Sequence, residues 1–492
     1  MSTRTRGLRR GAALAAAGAL AIVAAPAAAQ TPQPEPSVVD PELQVTAAVS
    51  GLTQPIGVAF IGDDKMLVLE KASGQVKVVE GGAVTGVALD LAVNSSSERG
   101  LLGVALHPSF RRNGYVYLFW TQSRTGADTT DLAAVPDLGN RVDRFRWNGS
   151  TLRFDRRIIS LRSFQQDAGQ PLRGNHNGGV IRFGPDRNLY IITGDTGRRG
   201  QMQNLVDGPF GPGLPDDQFG GPEPDNEHLT GTILRLDEDG FAPRDNPFYW
   251  VGRRIGGEAG KNVKKVYSYG IRNSFGMAFD PKSGDLWQQE NGDDSYSELN
   301  RVFPGMNSGW VQIMGPVSRV ADFRAIETST APVPGAPNGT FGLQQIRWLP
   351  TNIAETPQEA LDRLFKLPGS QFSDPELAWR YEVGPGGIGF LDSRELGRRY
   401  EHDLFMGGSR DLLQGGHIFR FELTGNRRGV DVDDPRLRDL VADNLGKWEG
   451  TESESLLFGR NFGTVTDIQT GPEGDLYAVS LTRNAIYRIS ER

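Results

Sequence analysis

The sequence carries a small set of polar residues whose types suit proton and charge chemistry, and they gather at turns. Asn175-His176-Asn177-Gly178-Gly179 stands just before the apolar run 180–183. An imidazole titrates near neutrality, and the glycines beside it let a ligand approach closely, so His176 suits a general base. A turn histidine that bonds its own loop is the competing reading. Tyr269-Gly270-Ile271-Arg272-Asn273-Ser274 repeats the arrangement, a polar pair ahead of the run 276–279. Glu290-Asn291-Gly292-Asp293-Asp294 follows the expected strand that ends at Gln289. Main-chain carbonyls and carboxylates in such a turn suit Ca²⁺, and a solvated acidic turn is the alternative. The acidic stretch 207–227 reads as a solvated insertion.

Other chemistries are excluded. Gly384-Pro385-Gly386-Gly387-Ile388-Gly389 matches G-x-G-x-x-G literally, but no strand–helix–strand unit surrounds it and Phe390-Leu391 continues as strand. Neither G-x-S-x-G nor a Walker A run occurs. The five histidines, at 107, 176, 228, 402 and 417, include no H-x-x-x-H pair, which argues against a zinc hydrolase. With no cysteine there is no disulfide, thiolate nucleophile or thiolate-held metal.

The elements that must position these residues are short strands. The 492 residues include 63 Gly and 30 Pro, which favours strands joined by turns over long helices. An imperfect repeat recurs: an apolar strand, a Pro/Gly/Asp turn, then a strand bearing aromatics. It runs through His107-Pro108 to Asn113-Gly114, Gly184-Pro185-Asp186 to Asn188, Asp280-Pro281 to Gly284-Asp285, and Gly471-Pro472 to Asp475. Weaker copies cover 56–79 and 387–421. This pattern predicts an all-β chain, a six-bladed β-propeller of four-stranded antiparallel blades with long inter-strand loops, whose closure removes exposed edges. Two β-sandwiches of unrelated hairpins are the competing fold. Residues 313–372 show little strand pattern and read as a long loop insertion with a short helix over 356–365.

The N-terminus reads as an address. Arg4, Arg6, Arg9 and Arg10 precede an apolar run over 12–25 and the small residues Ala27-Ala28-Ala29, so residues 1–29 are expected to be a secretory signal. Arg9-Arg10 fits a twin-arginine signal poorly. Residues 30–43 read as a Pro-rich disordered tether and 44–492 as the propeller. Without the four signal arginines, the 53 basic residues fall to 49 against 60 acidic ones, a net charge of about −11. That balance argues against nucleic acid and against docking on an anionic membrane. After cleavage no membrane insertion is expected, and the destination is periplasmic or extracellular.

The order of the motifs carries a resemblance. Residues 98–108 (ERGLLGVALHP), 176–179 (HNGG), 183–186 (FGPD), Gly194-Asp195, 231–240 (GTILRLDEDG), 245–248 (DNPF), 269–273 (YGIRN), 298–300 (ELN) and 307–310 (NSGW) follow one another along the chain. Together they resemble the glucose/sorbosone dehydrogenase family, whose soluble members bind pyrroloquinoline quinone (PQQ). The resemblance implies a six-bladed propeller that oxidises the anomeric hydroxyl of an aldose to a lactone by hydride transfer to PQQ. It implies His176 as the base and Arg272 as the cation that faces the quinone carbonyl. It further implies Asn273 and Asn291 at the cofactor, Glu98 at the sugar, and the main-chain carbonyls of Gly292 and Asp293 on Ca²⁺.

The resemblance breaks where the cofactor's carboxylates should be held. The family's Arg-x-Arg-Asp run is Thr464-Val465-Thr466-Asp467 here, an acidic position is Ser297, and a family lysine has only Arg410 as a substitute. A tricarboxylate wants cations in bidentate reach. Two other functions are therefore carried alongside: a cofactor-less propeller that binds glycans or proteins, and a Ca²⁺-dependent lactonase-like hydrolase that draws on Glu98, Asn273 and Asn291. The electron acceptor is not legible.

Overall fold

The apolar faces of the strands settle the architecture, because each must be buried against a neighbour. The computed structural model describes residues 33–163, 174–197, 229–310, 312–336 and 353–492. Within it, contacts group Glu35–Arg492 as one unit, apart from Met1–Pro34. The expected signal segment and the acidic stretch 207–227 lie outside the described residues.

Among the described residues the strands form six sheets. The first contains Pro55–Phe60, Lys65–Glu70, Gln75–Glu80 and Ala83–Asp90, and the second Leu101–Leu106, Tyr115–Thr121, Asn140–Trp147 and Leu152–Leu161. The third begins with Ile181–Phe183 and Leu189–Thr193, the fourth with Met277–Phe279 and Leu286–Glu290. The fifth begins with Pro385–Phe390 and Leu404–Gly408, and the sixth with Val465–Thr470 and Leu476–Ser480. The hairpin turns expected from the repeat open each sheet, although the first of them, after His107, contains the single helical turn Phe110–Asn113.

Every neighbouring pair of sheets shares an apolar cluster. Leu69 and Val104 meet between the first and second, Phe119 and Ile191 between the second and third. Ile192 and Met277 join the third to the fourth, Trp287 and Ile388 the fourth to the fifth. Phe405 and Ile468 join the fifth to the sixth, and Val479 and Val68 the sixth back to the first. A pair of sandwiches has no such circular order of cores. The arrangement is a β-propeller.

The first strands of the sheets line the axis, and glycine lets their backbones approach. A Cβ on Gly103 would overlap the Gly179 carbonyl, and one on Gly387 would overlap the backbone of Thr466. The ring is closed by an N-terminal strand: Leu43–Val49 pairs antiparallel with Ala485–Glu491 as the outer strand of the sixth sheet.

The structure corrects three expectations. Only the first, second and sixth sheets are four-stranded and antiparallel; the others carry five or six strands. In the third and fourth sheets the additions are parallel, Met306–Asn307 on Val266–Tyr269 and Val441–Ala442 on Leu377–Tyr381. The stretch read as a disordered tether is partly ordered: Ser37–Val38 pairs with Leu457–Arg460, and Asp40 accepts the Tyr400 hydroxyl at 2.5 Å. The insertion is also packed rather than a bare loop, sharing a cluster with Tyr296, Ala378 and Val441 of the fourth sheet. Helix Val320–Glu327 buries Val320, Phe323 and Ile326, spaced three apart; the first two share a cluster with Trp310, Ile353 and Ala360, and Ile326 packs with Val333 and Tyr381. Its second helix, Pro357–Arg363, is capped by Thr356, whose hydroxyl accepts the Glu359 N–H at 3.2 Å.

Candidate functional site

The site is built where the chain enters the innermost strands. His176 precedes Ile181–Phe183 and adopts φ +58°, a left-handed conformation uncommon for a non-glycine residue. Its loop is fixed from both sides. Glu98, at the entrance to the second sheet, accepts the His176 main-chain N–H at 2.6 Å, and the Thr196 N–H reaches the His176 carbonyl at 3.3 Å. The ring Nδ1 lies 2.5 Å from Asp195 Oδ1. A carboxylate there assigns the proton to Nδ1 and leaves Nε2 as the basic atom. Asp195 is held in turn: its Oδ2 accepts the Trp310 indole N–H at 3.0 Å and its Oδ1 the Gly197 N–H at 2.8 Å.

Arg272 enters from the neighbouring sheet. Its carbonyl accepts the Asp195 N–H at 2.8 Å, so the two turns are tied back to back. Its guanidinium pairs with Asp293, donates to the Asn291 carbonyl at 2.8 Å, and lies 5.6 Å from the Trp310 ring centre. Its main-chain N–H is taken by Glu290.

Burial dominates the electrostatics. Burial and the Arg272 charge both push the His176 pKa below its ordinary value, against Asp195 and Glu98, so the ring is neutral at neutral pH. Burial opposes ionisation of Asp195, but His176, Arg272 and the Gly197 N–H outweigh it and hold the carboxyl below the usual range. Glu290, buried against Glu298, is driven well up.

Beside this cluster a cavity of about 240 Å³ opens on the axis. Lys71, Glu98, Gly178, Ser409, Thr464 and Thr466 are among its walls, drawn from five different sheets. Lys71 donates to the Ser97 carbonyl at 3.0 Å, and burial lowers its pKa to about 8 against the pull of Glu98.

These observations can be set against known proteins. The family profile described as Glucose / Sorbosone dehydrogenase matches residues 52–317, more than half of the chain. The chain belongs to the glucose/sorbosone dehydrogenase family. It is 29% identical over 279 residues to quinoprotein glucose dehydrogenase B of Acinetobacter calcoaceticus, a match that spans 54% of this chain and 52% of that relative. It is 23% identical over 433 residues to the aldose sugar dehydrogenase YliI of Escherichia coli K12, with 87% of each chain covered. The solved PQQ-bound aldose sugar dehydrogenase of Streptomyces coelicolor shares the fold, with a TM-score of 0.54, 22% identity, 94% of this chain and 100% of that one covered.

Within this family frame, the structure brings together His176, Arg272, Asn273, Asn291 and Glu98. Glu98 reaches both the His176 N–H and the Asn273 amide, the latter at 3.4 Å, so it braces the cluster as well as lining the cavity. Asn291 donates its N–H to the Asn273 carbonyl at 2.8 Å and spends its amide on the Pro385 carbonyl at 2.9 Å. Asn273 Oδ1 is buried with no hydrogen-bond partner, which is a polar atom suited to a ligand donor. Thr464 and Thr466 do line the cavity.

Two expectations are not met. Arg410 is exposed and stacks 5.7 Å from the Trp448 ring centre, and it does not line the cavity. The turn at Gly292 and Asp293 does not fit Ca²⁺, because the Asp293 carbonyl already accepts the Lys447 ammonium at 2.8 Å and its carboxylate pairs with Arg272. Among the described residues, no group of three or more His, Asp or Glu side chains is arranged to hold a metal.

Sequence reasoning gave no role to Asp195, Trp310, Lys71 or Lys447. The first two sit in quoted motifs, Gly194-Asp195 and NSGW, where a carboxylate and an indole N–H were available to orient an imidazole. Lys71 and Lys447 sit in no motif.

Proposed function

We propose that this protein oxidises the anomeric hydroxyl of an aldose to a lactone, with His176 as general base and PQQ as the bound acceptor. The observation that carries this reading is the neutral His176 ring, oriented by Asp195 and set beside the Arg272 cation next to an axial cavity. Oxidation removes the proton from the anomeric hydroxyl oxygen and a hydride from the carbon that bears it, leaving a carbonyl. His176 Nε2 takes the proton, and Asp195 steadies the imidazolium that forms. Arg272, pinned by Asp293 and the Asn291 carbonyl, supplies a fixed positive charge that needs no reorganisation as negative charge develops nearby.

PQQ, when bound, supplies the two-electron acceptor for the hydride. The cavity's donors suit such a carboxylated ligand: the Lys71 ammonium and the Ser409, Thr464 and Thr466 hydroxyls. Lys71 thus offers one cation where the two family guanidiniums are missing.

In this reading each sheet is one blade of a six-bladed propeller, residues 1–29 direct export to the periplasm or beyond, and the substrate is a small sugar. The test is reconstitution with PQQ followed by dye reduction over a panel of aldoses. Turnover with at least one sugar is expected. No turnover on any of them, with PQQ absorbance unchanged by the protein, rejects the reading.

A further inference from the structure

The loop that follows the fourth sheet delivers a lysine into the turn at Asp293. Lys447 Nζ donates to the Asp293 carbonyl at 2.8 Å, to Asp294 Oδ1 at 2.9 Å, and lies 2.8 Å from Glu382 Oε2. An ammonium has three protons, and here each meets an oxygen. All four groups are withdrawn from water: the side chains of Lys447 and Glu382 are 7% and 10% exposed, and those of Asp293 and Asp294 are each 1% exposed.

The lysine is held in place by its backbone. Its N–H donates to the Pro334 carbonyl at 3.0 Å, and the Trp448 N–H donates to the Glu382 carbonyl at 2.7 Å. Asn444 clamps the same loop to the fourth sheet, accepting the Tyr381 N–H at 2.8 Å and donating to the Gly446 and Glu449 carbonyls at 3.0 Å. Burial works against the charge on Lys447, but Glu382 and Asp294 outweigh it, and its pKa stands above the ordinary lysine value.

A carbonyl and two carboxylates converging on one point is the donor set a hard divalent cation takes. We propose that Lys447 is a resident, covalently tethered cation that does here what a bound Ca²⁺ would do: it neutralises Asp294 and Glu382 and fixes the Asp293 carbonyl. Asp293 then presents its carboxylate to Arg272, so Lys447 acts on the site as a positioning residue, through Asp293. The Asp293 turn is on this view metal-independent. The inference does not depend on the sugar, the quinone or any turnover.

Metal response separates this idea from a merely structural role. The full-length protein, purified and treated with EDTA, is expected to keep its Tm, to keep it again in ~10 mM CaCl2, and to give no Ca²⁺ binding heat. Lys447→Ala leaves three oxygens and two negative charges around a vacated space. Its Tm should fall by about 5 °C, and ~10 mM CaCl2 should recover part of that loss while NaCl at equal ionic strength does not. Wild type that binds Ca²⁺ stoichiometrically or loses Tm in EDTA overturns the proposal. So does a folded Lys447→Ala protein that ignores Ca²⁺. Should that variant not fold without metal, refolding with and without Ca²⁺ replaces the melt, and equal yields overturn the proposal.

Discussion

Glu98 accepts the main-chain N–H of His176 at 2.6 Å across the seam between the second and third sheets. That single bond fixes a left-handed residue whose ring must face Asp195, so Glu98 sets the imidazole's direction through the backbone. Replacing it separates charge from geometry. Glu98→Gln keeps an acceptor and should retain most stability, whereas Glu98→Ala strands a buried N–H at a cost of about 1.5–3 kcal/mol. Thermal melts of the two variants check this, and equal melting temperatures would show that the bond does not hold the loop.

His176→Ala should bind PQQ as wild type does yet lose turnover by about 10²–10⁴-fold. Asp195→Asn should also lower kcat, because an amide can offer its N–H to Nδ1 and favour the wrong tautomer. Absorbance titration of PQQ and dye-coupled kinetics on the same preparations separate binding from chemistry. A His176→Ala enzyme with full activity places the base elsewhere.

The pH profile has a defined sign. Burial and Arg272 lower the His176 pKa, so the ring stays neutral, and able to accept a proton, below the ordinary value of 6.5. The acid limb of kcat/KM is therefore expected below pH 6.5. Asp195 pulls that pKa upward, so Asp195→Asn should move the limb further toward acid. A limb at or above pH 6.5 in wild type contradicts the assignment.

Lys71 is the cation that faces the cavity, with a pKa lowered to about 8. Its charge is present below that value and lost above it. Affinity for a carboxylated quinone should therefore fall as pH rises through about 8, and Lys71→Met should weaken binding by about 10–100-fold at pH 7. Titrations at pH 7 and 9 with wild type and variant test both. Affinity that is flat with pH and unchanged in Lys71→Met would remove Lys71 from the site.

Much of the scaffold was legible because it is local. The hairpins at 184–188, 280–285 and 471–475 join strands close in sequence, and the polar pairs 175–177 and 272–273 stand just ahead of innermost strands, as their spacing suggested. What stayed hidden depends on partners far apart along the chain. Lys447 is 154 residues from Asp293, and no pattern near position 447 announces that meeting. Lys71 follows an ordinary strand and gains meaning only when the ring brings Thr464 and Thr466 opposite it. Arg410 was offered only as a substitute for a family lysine, and it lies exposed against the Trp448 ring, away from the cavity. The tether was misread because four prolines suggested disorder, while Ser37–Val38 found an open strand edge at Leu457–Arg460.

Joining Leu43–Val49 to Ala485–Glu491 has a consequence for biosynthesis. Leu43–Val49 leaves the ribosome long before its partner, so the ring cannot seal until Ala485–Glu491 has been made. Until then a nascent chain carries an unzipped edge on Leu43–Val49. Circularly permuted genes that begin at the turn 471–475 would make that seam an ordinary hairpin neighbour, and a gain in refolding speed would measure what closing so long a loop costs.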